Sequence, residues 1–161
     1  MAPRLVRPYI LRVPIELPHP ERCAFCNIGA GSWSTIVEEL DDTCAFLNPR
    51  QYGIGALLVI PKRHAPTVLD LEPAEASALM SHVQRLAQAL TVAFDPSGLN
   101  IFQNNGVTAG QTVPHYHVHI VPSYPGDPPG RIFAAAEFER TPREDLQRIA
   151  ERIIPHLPRR A

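Results

Sequence analysis

The chain has 161 residues, 45% hydrophobic and 19% charged, with a formal net charge of −1; this suits one soluble globular domain with its own core and gives no reason to expect nucleic acid or an anionic membrane as the main partner. No apolar run approaches the roughly 18–20 residues of a membrane span, and Tyr9, Ile10 and Leu11, cut off by Arg12, fall short of the about 7–15 apolar residues of a signal peptide. Three cysteines make no disulfide framework, so the expectation is a cytoplasmic protein whose thiols stay reduced.

Proline is frequent, 18 residues, and clusters over 3–20 and 122–129, which marks those stretches as extended or looping. Over 1–22, Tyr9, Leu11, Val13, Ile15 and Leu17 alternate with other residues, as in an extended arm with one apolar edge for the body of the domain or a second subunit. The domain proper is expected over 23–161. Cys23-Ala24-Phe25-Cys26 has the spacing of a metal-binding pair or a redox disulfide. The glycines just after it disfavour the helix that a redox pair needs. A zinc site would require two more ligands from elsewhere, and without them the pair is a turn.

Residues 34–40 and 43–47 read as two short strands joined by Asp41-Asp42, with Cys44 a small core residue. The continuous apolar run 56–60, ending at Pro61, suits a central buried strand. A long helix is expected between Asp70 and Phe94, with Pro73 at its first position. Ala76, Leu79, Val83, Leu86, Leu90 and Ala93 recur at the spacing of one buried face, and His82 falls at the edge of that face as a surface or boundary residue without chemistry. Asp95-Pro96-Ser97-Gly98 ends the helix, and 99–103 reads as another strand. The polar loop 104–113 leads into 114–122, which reads as a strand. A C-terminal helix is expected after Thr141 as cap, with Pro142 in first position and Glu144 completing a capping box; Leu146, Ile149, Ile153 and Ile154 form its apolar stripe.

The segment 114–122 carries His115, His117 and His119 at two-residue spacing among Tyr116, Val118, Ile120 and Val121. In a strand these imidazoles share one face. Neighbouring Cα atoms would lie about 6.6–7 Å apart and the outer pair about 13 Å, so all three can meet one metal only at a bend or bulge. A divided reading fits better: one outer histidine for a metal, the middle one a nucleophile, the last an assisting donor. Imidazole attacks phosphorus well when one nitrogen is bare and the other is held as N–H by an acceptor. Backbone N–H groups at Gly110, Gln111 and Thr112, with the side chains of Asn104, Gln111 and Thr112, can meet the negative charge of a phosphate.

The run 103–122, from Gln103-Asn104-Asn105-Gly106 through Ala109-Gly110-Gln111 to His115-Tyr116-His117-Val118-His119-Ile120-Val121, resembles the signature of the histidine triad (HIT) family. Cys23-Ala24-Phe25-Cys26, Ala45-Phe46-Leu47-Asn48-Pro49 and Leu58-Val59-Ile60-Pro61-Lys62-Arg63-His64 match in the same order, so the resemblance covers about residues 23–125. It implies an α+β fold, an antiparallel sheet of about five strands with one long and one C-terminal helix packed on it, usually as a homodimer. It implies hydrolysis or transfer at the α-phosphate of purine nucleotides, through a nucleotidyl intermediate on His117, with His119 holding the phosphate or leaving group.

By the same resemblance Asn104, Gly110, Gln111 and Thr112 would bind phosphate oxygens and Asn48 the ribose hydroxyls. The zinc-containing branch implies a structural zinc on Cys23, Cys26, His64 and His115. Three positions depart from the pattern: Gly55-Ala56 stands where many members have Gly-His, Pro114 where an apolar or aromatic residue is common, and Thr112, which can still donate, where Ser is more usual in some branches. Histidine rather than glutamine at 119 favours the hydrolase side over the transferase and phosphorylase side. The implied substrates are dinucleoside polyphosphates, nucleoside phosphoramidates or adenylated metabolites. A nucleotidyltransferase, or a nucleotide-binding protein with incidental hydrolysis, is the alternative.

Overall fold

A computed structural model describes residues 15–18, 23–28, 34–128 and 138–159. Five strands form one antiparallel sheet: β1 (Ile36–Glu39), β2 (Thr43–Leu47), β3 (Leu57–Pro61), β4 (Gly98–Phe102) and β5 (Val118–Ser123), in the order β1-β2-β3-β5-β4. Helix α1 (Pro73–Phe94) and helix α2 (Arg143–Ile153) complete the α+β fold expected above. Every residue of β2 and of β3 is buried, because both faces of the sheet are covered there. Alternation then sorts the side chains. Ala45, Leu47, Leu57, Val59, Val118 and Ile120 join Leu79, Val83, Leu86 and Leu90 of α1 and Leu146, Ala150 and Ile153 of α2 in the main core. Cys44, Phe46, Leu58 and Ile60 point the other way and pack with Phe25. That second face carries the candidate site.

The start of α1 follows the sequence: Pro73 opens it, and the Glu72 N–H donates to the Glu75 carboxylate at 2.8 Å. Asp95, in left-handed conformation with φ 47°, ends it. Four expectations are corrected. His82 is fully buried; its Nδ1 lies 2.8 Å from the Thr43 hydroxyl and its Nε2 3.3 Å from the Glu38 carboxylate, which also receives a 2.8 Å bond from Arg85. A polar cluster under β1 and β2 receives an imidazole that helix periodicity alone placed at a boundary. Thr141 does not cap α2. Pro142 takes that place without a side-chain cap, while Thr141 accepts the Gln51 N–H at 3.3 Å and donates its own N–H to the Pro49 carbonyl at 2.8 Å. Ile154 lies beyond α2 and is exposed, so the stripe consists of Leu146, Ala150 and Ile153 with Ile149 partly buried.

The fourth correction concerns the histidine segment. β5 begins only at Val118. Its ladder with β3 stops at Val59↔Val118; upstream, the Tyr116 N–H turns to the Ala65 carbonyl at 2.6 Å and the His115 N–H to the Val113 carbonyl at 2.8 Å. Pro114 has no N–H to offer a ladder. The three histidines are thus not one straight row: His119 is in the strand, His115 and His117 in the bend before it.

Most of the N-terminal arm lies outside the described residues. The part that is described reaches the signature loop, where Glu16 accepts the Val107 N–H at 2.8 Å. Gly106 has φ 90°, and a Cβ there would stand 2.5 Å from Ile15 Cγ2, so this crossing needs glycine on both counts. Among the described residues no helix is long and apolar enough to cross a membrane.

Candidate functional site

A cavity of about 470 Å³ opens on the sheet face opposite α1. β5 and the bend before it supply His119 and His117, the loop after β2 supplies Asn48 and Arg50, and Thr112 closes one side. Phe25, Leu58 and Val113 are its apolar walls, and Arg140 stands at its edge. Strand register accounts for part of this: His119 pairs with Leu58 on β3 and with Phe102 on β4.

His117 is 4% exposed. Its Nδ1–H donates to the carbonyl of His115 at 2.6 Å, which leaves Nε2 as the bare nitrogen. Burial lowers its pKa from the ordinary value, against the opposing pull of that hydrogen bond, so the ring is neutral near pH 7. The edge of Phe25 meets it with centroids 5.3 Å apart and planes at 90°. His119 sits 4.9 Å from His117, centroid to centroid. Its pKa is lowered to about 3, by burial first and by the charge of His117 second. Two adjacent neutral imidazoles in an apolar-walled cavity can act as nucleophile and hydrogen-bond partner without first losing a proton.

The signature loop is built around Gln111. Its Oε1 accepts the Gly106 N–H at 2.6 Å, and its amide donates to the carbonyls of Pro66 at 2.7 Å and Val113 at 2.9 Å. The side chain expected on a phosphate oxygen is therefore committed to the chain itself, and it is buried. Asn104 spans the same loop, its amide 3.4 Å from the Gly110 carbonyl. Of the expected phosphate ligands, Thr112 and His119 line the cavity together with Asn48, whereas Asn104, Gly110 and Gln111 shape the loop beside it. Phe25, Arg50, Leu58, Phe102, Arg140 and Tyr52 are the residues that sequence reasoning did not single out for the site. Arg50 had a signal, lying two positions after Asn48 in one loop; Arg140 had none.

Next to the cavity, donor atoms of Cys23, Cys26, His64 and His115 all lie within 4.8 Å of one another and could hold a metal ion. Cys23 Sγ is 3.2 Å from His115 Nδ1, and Cys26 Sγ is 3.2 Å from His64 Nδ1. The donor chemistry fits. His115 Nε2–H donates to the Pro61 carbonyl at 2.8 Å, so Nδ1 presents its lone pair to the thiols, as a metal-ligating histidine fixed by a backbone acceptor does. Burial lowers His115 to about 4, which keeps the ring unprotonated. Burial, the hydrogen bond with Cys23 and the charge of Cys23 push Cys26 up to about 11, a repulsion that a divalent cation between the sulfurs would reverse. The two Cys₂His₂ halves come from the 23–28 turn on one side and from the ends of β3 and the signature loop on the other.

The HIT domain family model matches residues 32–126, more than half of the 161-residue chain. "Protein hit" of Bacillus subtilis is 40% identical over 139 residues, covering 85% of this chain and 95% of its own. The asymmetrical bis(5'-nucleosyl)-tetraphosphatase of Schizosaccharomyces pombe is 39% identical over 121 residues, 75% of this chain and 65% of its own. The crystal structure of a zinc-bound histidine triad family protein from Mycobacterium smegmatis superposes with a TM-score of 0.63 at 28% identity, covering 82% of this chain and 95% of its own. With the five-stranded antiparallel sheet, the signature loop and the three spaced histidines in place, these matches establish that the chain belongs to the HIT family.

Proposed function

We propose that the protein is a nucleotide hydrolase that cleaves at the α-phosphate of dinucleoside polyphosphates, nucleoside phosphoramidates or adenylated metabolites, by covalent catalysis at His117. The observation that carries this is the neutral, buried His117 ring, whose Nδ1–H is held by the His115 carbonyl while the ring lines a cavity shared with Asn48, Thr112 and His119. In the proposed sequence Nε2 attacks the α-phosphorus, a P–N bond forms and the bond to the leaving group breaks, and the leaving group departs with its electron pair. The Nδ1 proton, held against the His115 carbonyl, stabilises the cationic phosphoimidazole. Water then attacks the same phosphorus, the P–N bond breaks, the nucleoside monophosphate is released and its proton goes to solvent. Thr112 and His119 face the phosphate and Asn48 the ribose, while Gln111, Asn104 and Gly110 shape the loop beside them; the Gly110 and Gln111 N–H groups, expected on the phosphate, donate instead to the Val107 and Gly106 carbonyls at 2.9 and 3.0 Å.

Cys23, Cys26, His64 and His115 would hold a structural zinc, whose binding draws the sulfurs into their thiolate form. These ligands tie the N-terminal turn to the bend from which His117 projects, since His115 supplies both a metal-facing nitrogen and the carbonyl that orients His117. The zinc-bound M. smegmatis relative supports the metal, and the named bis(5'-nucleosyl)-tetraphosphatase supports the dinucleoside polyphosphate class. A homodimer is part of the proposal: β4 is an edge strand, with Ile101 45% exposed.

Incubation of zinc-loaded protein with diadenosine tri- and tetraphosphate and with an adenosine phosphoramidate should release AMP from at least one of them. No turnover of any would remove the hydrolytic reading, and a nucleoside diphosphate product formed only with added phosphate would replace it with phosphorolysis. The burial of both histidines also sets a pH dependence. A group whose pKa is depressed stays neutral further into acid. Turnover should therefore hold its plateau from pH 7.5 down to 6, where a histidine of ordinary pKa would leave only about a quarter of the imidazole neutral. Loss of most of the rate between pH 7.5 and 6 would contradict the lowered values.

A further inference from the structure

Tyr52 is 1% exposed, does not line the cavity, and packs with Ala56 and Val121 behind it. Its hydroxyl lies 3.2 Å from Nδ1 of His119. The Asn48 carbonyl oxygen is taken up by the Arg50 N–H at 2.9 Å. A buried hydroxyl proton needs an acceptor, and the acceptor within reach is Nδ1 of His119. Burial pushes the phenol up to about 12, so Tyr52 keeps that proton at any working pH. Phe102 stacks on the other histidine face, centroids 4.5 Å apart and planes 4° from parallel, which fixes the ring plane.

We propose that Tyr52 is a positioning residue that holds His119 as the Nε2–H tautomer, so that His119 offers an N–H to the cavity while neighbouring His117 offers a bare nitrogen. Two chemically identical side chains are thereby set to opposite roles by two acceptor–donor relations: the His115 carbonyl takes the proton position of one, and the Tyr52 hydroxyl fills the lone pair of the other. Ala56, fully buried, packs in the same cluster as the phenol. The catalytic consequence of this assignment rests on the hydrolytic reading above; the tautomer itself does not.

The test uses full-length, zinc-loaded protein with ¹⁵N-labelled histidine near pH 7. Long-range ¹H–¹⁵N correlation reads which ring nitrogen of His119 bears the proton, with His119→Gln assigning the signal. The expected result is Nε2–H in the unsubstituted protein and a mixture of tautomers in Tyr52→Phe. Tyr52→Phe should also lower kcat on a hydrolysed nucleotide about 10–100-fold with little change in KM. His119 found with its proton on Nδ1, or a His119 spectrum that Tyr52→Phe leaves unchanged, would overturn the assignment. The wild-type spectrum needs no variant to fold and no nucleotide, so its outcome is separate from that of the activity assays.

Discussion

Replacing His117 with alanine is expected to abolish nucleotide hydrolysis, by roughly 10³–10⁶-fold in kcat, the range seen when a covalent nucleophile is removed from a site that otherwise stays assembled. The reason is geometric. His117 is the imidazole in the cavity whose Nδ1–H is fixed on a backbone carbonyl and whose other nitrogen is left bare. In His119, Nδ1 faces the Tyr52 hydroxyl instead of a backbone carbonyl, and Nε2 is bare only if the ring proton sits on Nδ1. The change removes a ring packed against Phe25 and leaves a cavity, so a stability loss of about 1–3 kcal/mol should accompany it. The main core between the sheet and α1 contains neither residue and should keep the variant folded. Circular dichroism, metal content and steady-state assays on the same sample separate the two effects. Full activity in His117→Ala would make the nucleophile assignment wrong.

Loss of the metal is expected to have the second largest effect. Cys23→Ser, or a strong chelator, should lower metal content from about one zinc per chain to none and destabilise the fold. A ligand present at about 1,000 times its Kd stabilises by about 4.1 kcal/mol, and each kcal/mol is worth about 2–4 °C in Tm at this size, so the melting point should fall on the order of 10 °C. Activity should fall as well, because the bend that orients His117 is anchored through His115. The sheet and α1 should survive, since the four ligand residues lie outside the main core. Thermal melts, elemental analysis and turnover of Cys23→Ser beside the parent protein check all three. A metal-free protein of unchanged Tm and activity would sink the metal claim.

Much of the fold was legible because its signals are local. The apolar runs of β2 and β3, the three-or-four spacing of α1 with Pro73 at its start, and the stripe of α2 each declare themselves within a dozen residues or so. What was not legible depends on partners far away in the chain. The alternation at 114–122 describes a strand well, yet a strand needs a ladder. The ladder ends at Val59↔Val118 because Tyr116 finds the Ala65 carbonyl instead. His82 looked peripheral on a helical wheel and is buried because Thr43 and Glu38 reach it from another element. Thr141 has the chemistry of a cap, but its hydroxyl is taken by the Gln51 N–H.

The candidate site divides in the same way. Cys23, Cys26, His64 and His115 meet in one cluster, as the resemblance to the family implied; spacing alone left two of those ligands open. Gln111 carries the right chemistry for phosphate, but its amide is bonded to two carbonyls of its own chain. Arg140 reaches the cavity edge from the segment before α2, and no periodicity or motif marks it. Tyr52 stands in a polar loop where an aromatic residue reads as core, and only the packed structure brings its hydroxyl to His119.

The central claim, a double displacement through a nucleotidyl-histidine, is tested most directly by stereochemistry at phosphorus. A substrate with a chiral α-phosphorothioate, hydrolysed in ¹⁸O-water, yields a nucleoside phosphorothioate whose configuration can be read by ³¹P NMR. Two successive in-line displacements, first by His117 and then by water, predict net retention. Net inversion would mean that water attacks the α-phosphorus directly, and would contradict covalent catalysis.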